Sequence, residues 1–235
     1  LAGLYAEGET LISEATPTRD HTERMLAGFS NGHWQAGSAI RVNGNVALAG
    51  QCLEVPGDIS SAAFLLVAAT ICPGSDLLLP GVGINPTRSA VLAILRLMGA
   101  NIEISSERLE SNEPVCDLRV RSASLKGIDI PPEFVANAID EFPVLAIAAA
   151  AASGVTRVRG AKELRVKESD RIAAVVQGLA TLGIDAVEYP DGMDVTGGTF
   201  GSGSIESFGD HRIAMAFAVA GCISEGSVEI RDAGN

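Results

Sequence analysis

The sequence predicts an α/β protein built from repeated βαβαββ units, with buried helices inside and sheets outside. Three observations carry that expectation. Three segments share one pattern: an acidic residue, a highly apolar helical stretch, a Gly turn and a short strand. The helical stretches are apolar almost all round, so they must be covered on every side. The strands alternate, as Val155-Thr156-Arg157-Val158-Arg159 does, so their sheets keep one face in water. A doubly wound sheet would need the reverse, continuously apolar strands and amphipathic helices.

In chain order, Thr18-Arg19-Asp20 leads through Met25-Leu26 to Ile40-Arg41-Val42, a helix followed by a strand. Gly57-Asp58-Ile59-Ser60-Ser61 opens the first apolar helix, which turns at Gly74 and leaves through Leu77-Leu78-Leu79. Thr87-Arg88-Ser89 then starts a more amphipathic helix that leads to Asn101-Ile102-Glu103-Ile104 and an alternating strand over 117–121. Asp140-Glu141-Phe142-Pro143 opens the second apolar helix, which turns at Gly154 into the strand at 155–158. Its amphipathic partner begins at Glu168-Ser169-Asp170-Arg171 and leads to strands near 183–187 and Met193-Asp194-Val195. Gly209-Asp210-His211-Arg212 opens the third, which turns at Gly226 into Val228-Glu229-Ile230. Ala148 and Ala218 should therefore lie in the interior.

This repetition divides the chain. Residues 1–52 are expected to close a preceding, similar domain, and residues 53–235 to form most of a second. Leu1 opens an apolar segment with no initiator Met, and Asn235 follows a turn-like Asp-Ala-Gly, so a piece of a longer protein is expected.

Charge and composition exclude several function classes. Seventeen Lys and Arg against 29 Asp and Glu give a net charge of −12. Nucleic acid and anionic membrane surfaces would repel such a chain. A small anion feels only the local field of a pocket and stays allowed. Cys52, Cys72, Cys116 and Cys222 are far apart, with no C-x-x-C pair and no nearby His, so no metal site is expected. They read as small buried apolar residues of a reducing compartment. The longest apolar stretches, 62–72 and 144–152, fall short of the roughly 18–20 residues of a membrane span. A cytoplasmic protein is expected, with no cofactor.

The chemistry-bearing residues cluster at helix starts. Arg165-Val166-Lys167-Glu168-Ser169-Asp170-Arg171 packs cations and anions into one loop-to-helix junction, and Asp210-His211-Arg212 resembles it at another. Helix N-termini attract anions, and Arg adds forked donors suited to phosphate or carboxylate. A solvated helix start with local ion pairs would also account for 165–171. Cations there oppose the helix dipole, however, so Arg171 and Arg212 call for a nearby anion. Asp140, Glu141 and Asp58 fit helix caps by position. His211 could be a base or a structural hydrogen-bonding residue. His21 and His33 have no partner pattern and are read as surface residues.

These residues carry a resemblance. Arg165-Val166-Lys167-Glu168-Ser169-Asp170-Arg171 resembles the R-V-K-E-[ST]-D-R signature of the 5-enolpyruvylshikimate-3-phosphate synthases. Gly209-Asp210-His211-Arg212-Ile213-Ala214-Met215 is similar to that family's G-D-H-R-[IM]-A-M signature. Ile139-Asp140-Glu141-Phe142-Pro143 and Thr18-Arg19-Asp20-His21-Thr22-Glu23 look like segments of its class II subgroup, and the resemblance covers essentially the whole chain.

It implies the enolpyruvyltransferase fold, an inside-out α/β barrel, and transfer of an enolpyruvyl group from phosphoenolpyruvate to the 5-hydroxyl of shikimate 3-phosphate. Asp140 would be the base and Glu168 would assist proton transfer. Arg171, Arg212 and Glu168 would hold phosphoenolpyruvate; Arg19, Lys167 and Asp140 would contact shikimate 3-phosphate. The family's N-terminal Lys-Ser and Arg, the Ser-Ala-Gln loop and a later Lys-bearing segment have no counterpart in 1–235. This segment alone is therefore expected to be inactive, and the full-length protein a monomer. The alternatives are the enolpyruvyltransferase acting on UDP-N-acetylglucosamine, which would lack R-V-K-E-S-D-R, and a non-catalytic binding module of the same fold.

Overall fold

The computed structural model describes residues 1–14, 18–30 and 39–233. The chain begins with a 3-10 turn at Ala2–Tyr5, followed by β1 (Glu9–Ile12), α1 (His21–Phe29) and β2 (Ile40–Asn43). β1 and β2 pair antiparallel, with Thr10 opposite Val42. The first full unit contains α2 (Ile59–Ile71), β3 (Asp76–Gly83), α3 (Ala90–Leu97), β4 (Asn101–Glu110) and β5 (Glu113–Arg121). After the short α4 (Pro132–Val135), the second repeats the order: α5 (Phe142–Ala151), β6 (Val155–Val158), α6 (Arg171–Thr181), β7 (Ala186–Tyr189) and β8 (Gly192–Thr196). The third has β9 (Gly203–Glu206), α7 (His211–Gly221) and β10 (Val228–Arg231).

The sheets show the same wiring each time. Strand order is β3-β5-β4 in one and β6-β8-β7 in the other, all antiparallel. A parallel partner precedes each inner helix: Gly57 bridges Val82, Asp129 bridges Arg157, and β9 pairs with β10. Each full unit is thus βαβαββ, with small separate sheets and, among the described residues, no central parallel sheet.

The inner helices start for local reasons. Asp58 caps α2 by accepting the Ser61 N–H at 2.9 Å, as its position suggested. Asp170 caps α6 through Ala173 N–H, and Asp210 caps α7 through Arg212 N–H. Helix α5 has no side-chain cap but carries Pro143 in its first turn, where a missing N–H costs nothing. It is buried along nearly its whole length, and Ala148 is fully enclosed, as expected. Ala218 is not: it is exposed on α7 beside Met215. Leu65 is half exposed on α2. Helix α5 has α2, α6 and α7 around it, whereas α2 and α7 each keep one open side.

The cysteines also depart from expectation. Cys116, on β5, is buried, and burial pushes its thiol up to about 11. Cys72 is partly buried at the end of α2, while Cys52 and Cys222 are exposed, one between elements and one just past α7. No helix among the described residues is long and apolar enough to cross a membrane.

Candidate active site

The starts of α5, α6 and α7 lie side by side, because their helices pack on one another. Asp140 stands just before α5, Arg171 opens α6, and Arg212 lies in the first turn of α7. Asp140 is the point they share. Its carboxylate accepts from Arg19 Nη2 at 2.6 Å and lies 3.4 Å from Lys167 Nζ and 3.5 Å from Arg171 Nη1. Its backbone carbonyl accepts from Arg212 Nη1 at 3.1 Å. Asp140 is therefore not spent on capping: α5 receives no side-chain cap. Burial opposes its charge, but Arg212, Lys167 and Arg19 together outweigh burial and hold the carboxyl below its usual range.

Arg171 is almost wholly buried. Its Nε donates to Asp210 Oδ2 at 2.8 Å and its Nη2 to Glu168 Oε2 at 2.5 Å. Asp210 is fully buried and also accepts from the Ser169 hydroxyl at 3.1 Å. Burial works against the Asp210 charge, yet Arg171 and the Arg212 N–H keep its carboxyl low. Arg171 at a helix start was expected to await an external anion. Carboxylates of the protein already pair it, so the dipole argument by itself did not demand a ligand. Glu168 is about half exposed and faces the open side. Lys167 is held by Glu163 at 2.6 Å as well as by Asp140. Every predicted site residue, Arg19, Asp140, Lys167, Glu168, Arg171 and Arg212, thus joins one charged cluster.

Neighbouring residues do structural work. Arg165 pairs with Asp170 and Glu188 and donates to the Tyr189 and Pro190 carbonyls, so local ion pairing accounts for it. His211 is exposed. His21 is over a third exposed but, contrary to expectation, it has a partner: its Nδ1 lies 2.7 Å from Glu113 Oε1. The Asn85 amide links that pair to Asp20, donating to Glu113 at 3.0 Å and Asp20 at 2.6 Å. His33 lies outside the described residues. Two residues of the cluster escaped the sequence reading. In sequence Asp210 is only part of the charged start of α7; in the structure it caps that helix and also grips Arg171. Glu141 looked like a cap, yet it is buried 3.7 Å from Arg212 Nη1. Their place inside the two motifs, 209–215 and 139–143, was the signal for both.

Four cations, Arg19, Lys167, Arg171 and Arg212, stand among the carboxylates of Asp140, Glu141, Glu163, Glu168 and Asp210, so an anionic ligand would have to take over cations that the protein's own carboxylates now pair. Asp140 and Glu168 are the carboxylates suited to carrying a proton. Among the described residues, no group of three or more His, Cys, Asp or Glu side chains could hold a metal ion.

Comparison with known proteins bears on the family and the fold. The family model for EPSP synthase (3-phosphoshikimate 1-carboxyvinyltransferase) matches residues 1–235. The chain is 55% identical over 235 residues to the 3-phosphoshikimate 1-carboxyvinyltransferase of Acidithiobacillus ferrooxidans, covering all of this chain and 54% of that protein. It is 56% identical to the same-named protein of Alkalilimnicola ehrlichii, covering all of this chain and 53% of that one. The solved EPSP synthase of Acinetobacter baumannii matches with a TM-score of 0.93 at 48% identity, over 99% of this chain and 54% of that one. The enolpyruvyl transferase NikO of Streptomyces tendae matches with a TM-score of 0.74 over 98% of this chain and 52% of that one; at 15% identity this shows the fold alone. The chain spans about half the length of the curated relatives it matches, and it belongs to the EPSP synthase family.

Proposed function

We propose that this chain supplies part of the active site of a 3-phosphoshikimate 1-carboxyvinyltransferase, which moves the enolpyruvyl group of phosphoenolpyruvate onto the 5-hydroxyl of shikimate 3-phosphate. The observation that carries the reading is the Asp140 carboxylate set among Arg19, Lys167 and Arg171, with Arg212 on its carbonyl. Two polyanionic substrates repel each other, and dense fixed positive charge offsets that repulsion while orienting both. Arg171 and Arg212 take phosphoenolpyruvate; Arg19 and Lys167 take shikimate 3-phosphate.

Asp140 accepts the 5-hydroxyl proton as that oxygen bonds to the central carbon of phosphoenolpyruvate. The methylene carbon gains a proton at the same stage, with Glu168 beside it. Loss of a methyl proton and of phosphate from the tetrahedral intermediate then gives the enol ether. A carboxyl held low by cations is a weak base, but substrate anions draw those same cations away and raise its basicity. Residues 1–52 close a first domain and 53–235 form most of a second, so the remaining donors come from the rest of a longer, monomeric, cytoplasmic enzyme. The isolated segment is inactive.

The test is phosphate release by a full-length enzyme containing this sequence, with both substrates present. Asp140→Asn should lower turnover about 10²–10⁴-fold, as loss of a general base does, while shikimate 3-phosphate binds within a few fold. Near-normal turnover in that variant would remove Asp140 from the role.

A further inference from the structure

Three inner-helix N-termini meet at one pole of the molecule. Ser60 is in the first turn of α2, Glu141 immediately precedes α5, and Arg212 is in the first turn of α7. Glu141 is buried there, 3.7 Å from Arg212 Nη1. The Ser60 hydroxyl stands near Glu141 and lowers its carboxyl, and Arg88 Nη2 donates to Ser60 Oγ at 2.6 Å. The charged groups facing Glu141 are Arg212 from α7, Arg88 from the loop before α3, and its own neighbour Asp140.

A helix N-terminus repels a cation, so Arg212 needs something to hold it over the end of α7. The Asp140 carbonyl accepts from its Nη1 at 3.1 Å, and the Glu141 carboxylate supplies the opposite charge 3.7 Å from the same nitrogen. One dipeptide thereby serves both roles: Asp140 turns its carboxylate towards the open cluster, and Glu141 turns its own inward behind an arginine.

We propose that Glu141 is a positioning residue, whose buried carboxylate fixes the Arg212 guanidinium so that phosphoenolpyruvate meets it already oriented. This rests on the reading of the cleft given above. Glu141 does not reach substrate and acts only through Arg212.

The role has a signature that packing alone would not produce. Burial pushes the Glu141 carboxyl above its ordinary range, with Ser60 and Arg212 offsetting only part of it. A carboxyl raised by folding lowers stability as pH rises through its folded value, and this cost is absent below its unfolded value. The fold therefore carries the Glu141 charge at a loss near neutral pH, and the neutral isostere should fold at least as well.

The experiment uses full-length enzyme with Glu141→Gln, Arg212→Gln and both together. Glu141→Gln should raise KM for phosphoenolpyruvate about tenfold near neutral pH, leave kcat and the shikimate 3-phosphate KM within about threefold, and keep or raise the thermal midpoint. In the Arg212→Gln background it should add no further loss. As pH falls towards the raised value of Glu141, the ratio of variant to wild-type KM should approach one; the ratio cancels the titration of phosphoenolpyruvate itself. An unchanged KM, a lower midpoint with both KM values moving together, or additive losses in the double variant would each overturn the assignment. Should Glu141→Gln fail to fold, Glu141→Asp takes its place; it draws the charge back by one methylene, and an unchanged phosphoenolpyruvate KM there overturns it equally. Titration of phosphoenolpyruvate binding in the presence of shikimate 3-phosphate gives the same comparison without turnover. An enzyme that binds but releases no phosphate would thus count against the function and not against this residue.

Discussion

The loops before α3 and α6 occupy equivalent places in two units of identical strand order, yet they do different things. Before α3, Asn85 accepts from Thr87 N–H and hydroxyl and donates to Asp20 and Glu113, which joins α1 to β5. Arg88 reaches Asp58 and Ser60 at the start of α2. That loop is a tie. Before α6, Lys167, Glu168 and Arg171 gather on and around Asp140, with Glu168 left about half exposed. That loop builds the charged cluster. The repeat fixes where a loop stands, and the side chains decide whether it fastens or binds.

The sharpest way to break this comparison is to delete the arginine from each loop in the full-length enzyme. Arg171→Met leaves Asp210 fully buried with its main cation gone, so a loss of about 3–5 kcal/mol is expected by urea unfolding. It should also weaken phosphoenolpyruvate, since a charge-assisted contact is lost. Arg88→Met removes a pair whose Asp58 partner is nearly half exposed, and about 1 kcal/mol or less should follow. Arg88→Met should leave phosphoenolpyruvate binding unchanged; binding equally unchanged in Arg171→Met would mean that both loops are structural ties.

A second contrast lies one helix face further on. Counting from Ala90 and Arg171, Leu97 and Gly178 take the same place on α3 and α6. Leu97 is 53% exposed, whereas Gly178 is buried and a Cβ there would sit 2.2 Å from the Phe217 ring on α7. The third unit covers α6 at this point. Gly178→Ala should therefore cost about 1–3 kcal/mol through overpacking, while Leu97→Ala should stay within about 0.5 kcal/mol. A tolerated Gly178→Ala would show that α6 and α7 can slide apart.

What the sequence revealed follows from the range of each interaction. Asp140, Lys167, Glu168, Arg171 and Arg212 were legible because two compact motifs and one short segment carry them. The βαβαββ order was legible from the repeated apolar stretches. The His21–Glu113 pair was not, because 92 residues separate its members and no local spacing announces it. Asp210 and Glu141 sat in view, but a carboxylate at a helix start has a commoner use as a cap, and only packing shows what else it touches. Ala218 was misjudged for a related reason. Apolar residues all round a helix say that it can be covered everywhere, and α5 is, but they do not say that α7 is.

The smallest effect should come from the outer sheets, where the two units again invite comparison. In the first, Asp76 on β3 pairs with Arg119 and Arg121 on β5; in the second, Arg157 and Arg159 at the matching strand pair with Asp194 on β8. The signs are swapped between equivalent strands, though not at the same register, so neither polarity is required by the fold. The Arg119 hydrogen bonds and the nearby Arg121 hold the Asp76 carboxyl down to about 2. A depressed carboxyl adds stability above its unfolded value of 3.8, and that share fades as pH falls through the folded value. Water surrounds this pair and salt screens it, so little of the shift reaches the stability of the protein. Asp76→Asn should leave phosphate release unchanged and move the thermal midpoint by no more than about 2 °C at low salt. The difference should shrink between pH 4 and 2 and disappear in high salt. A larger drop that persists in salt would mean the polarity of this sheet matters, and that the two units are less interchangeable on their outer faces than their swapped charges imply.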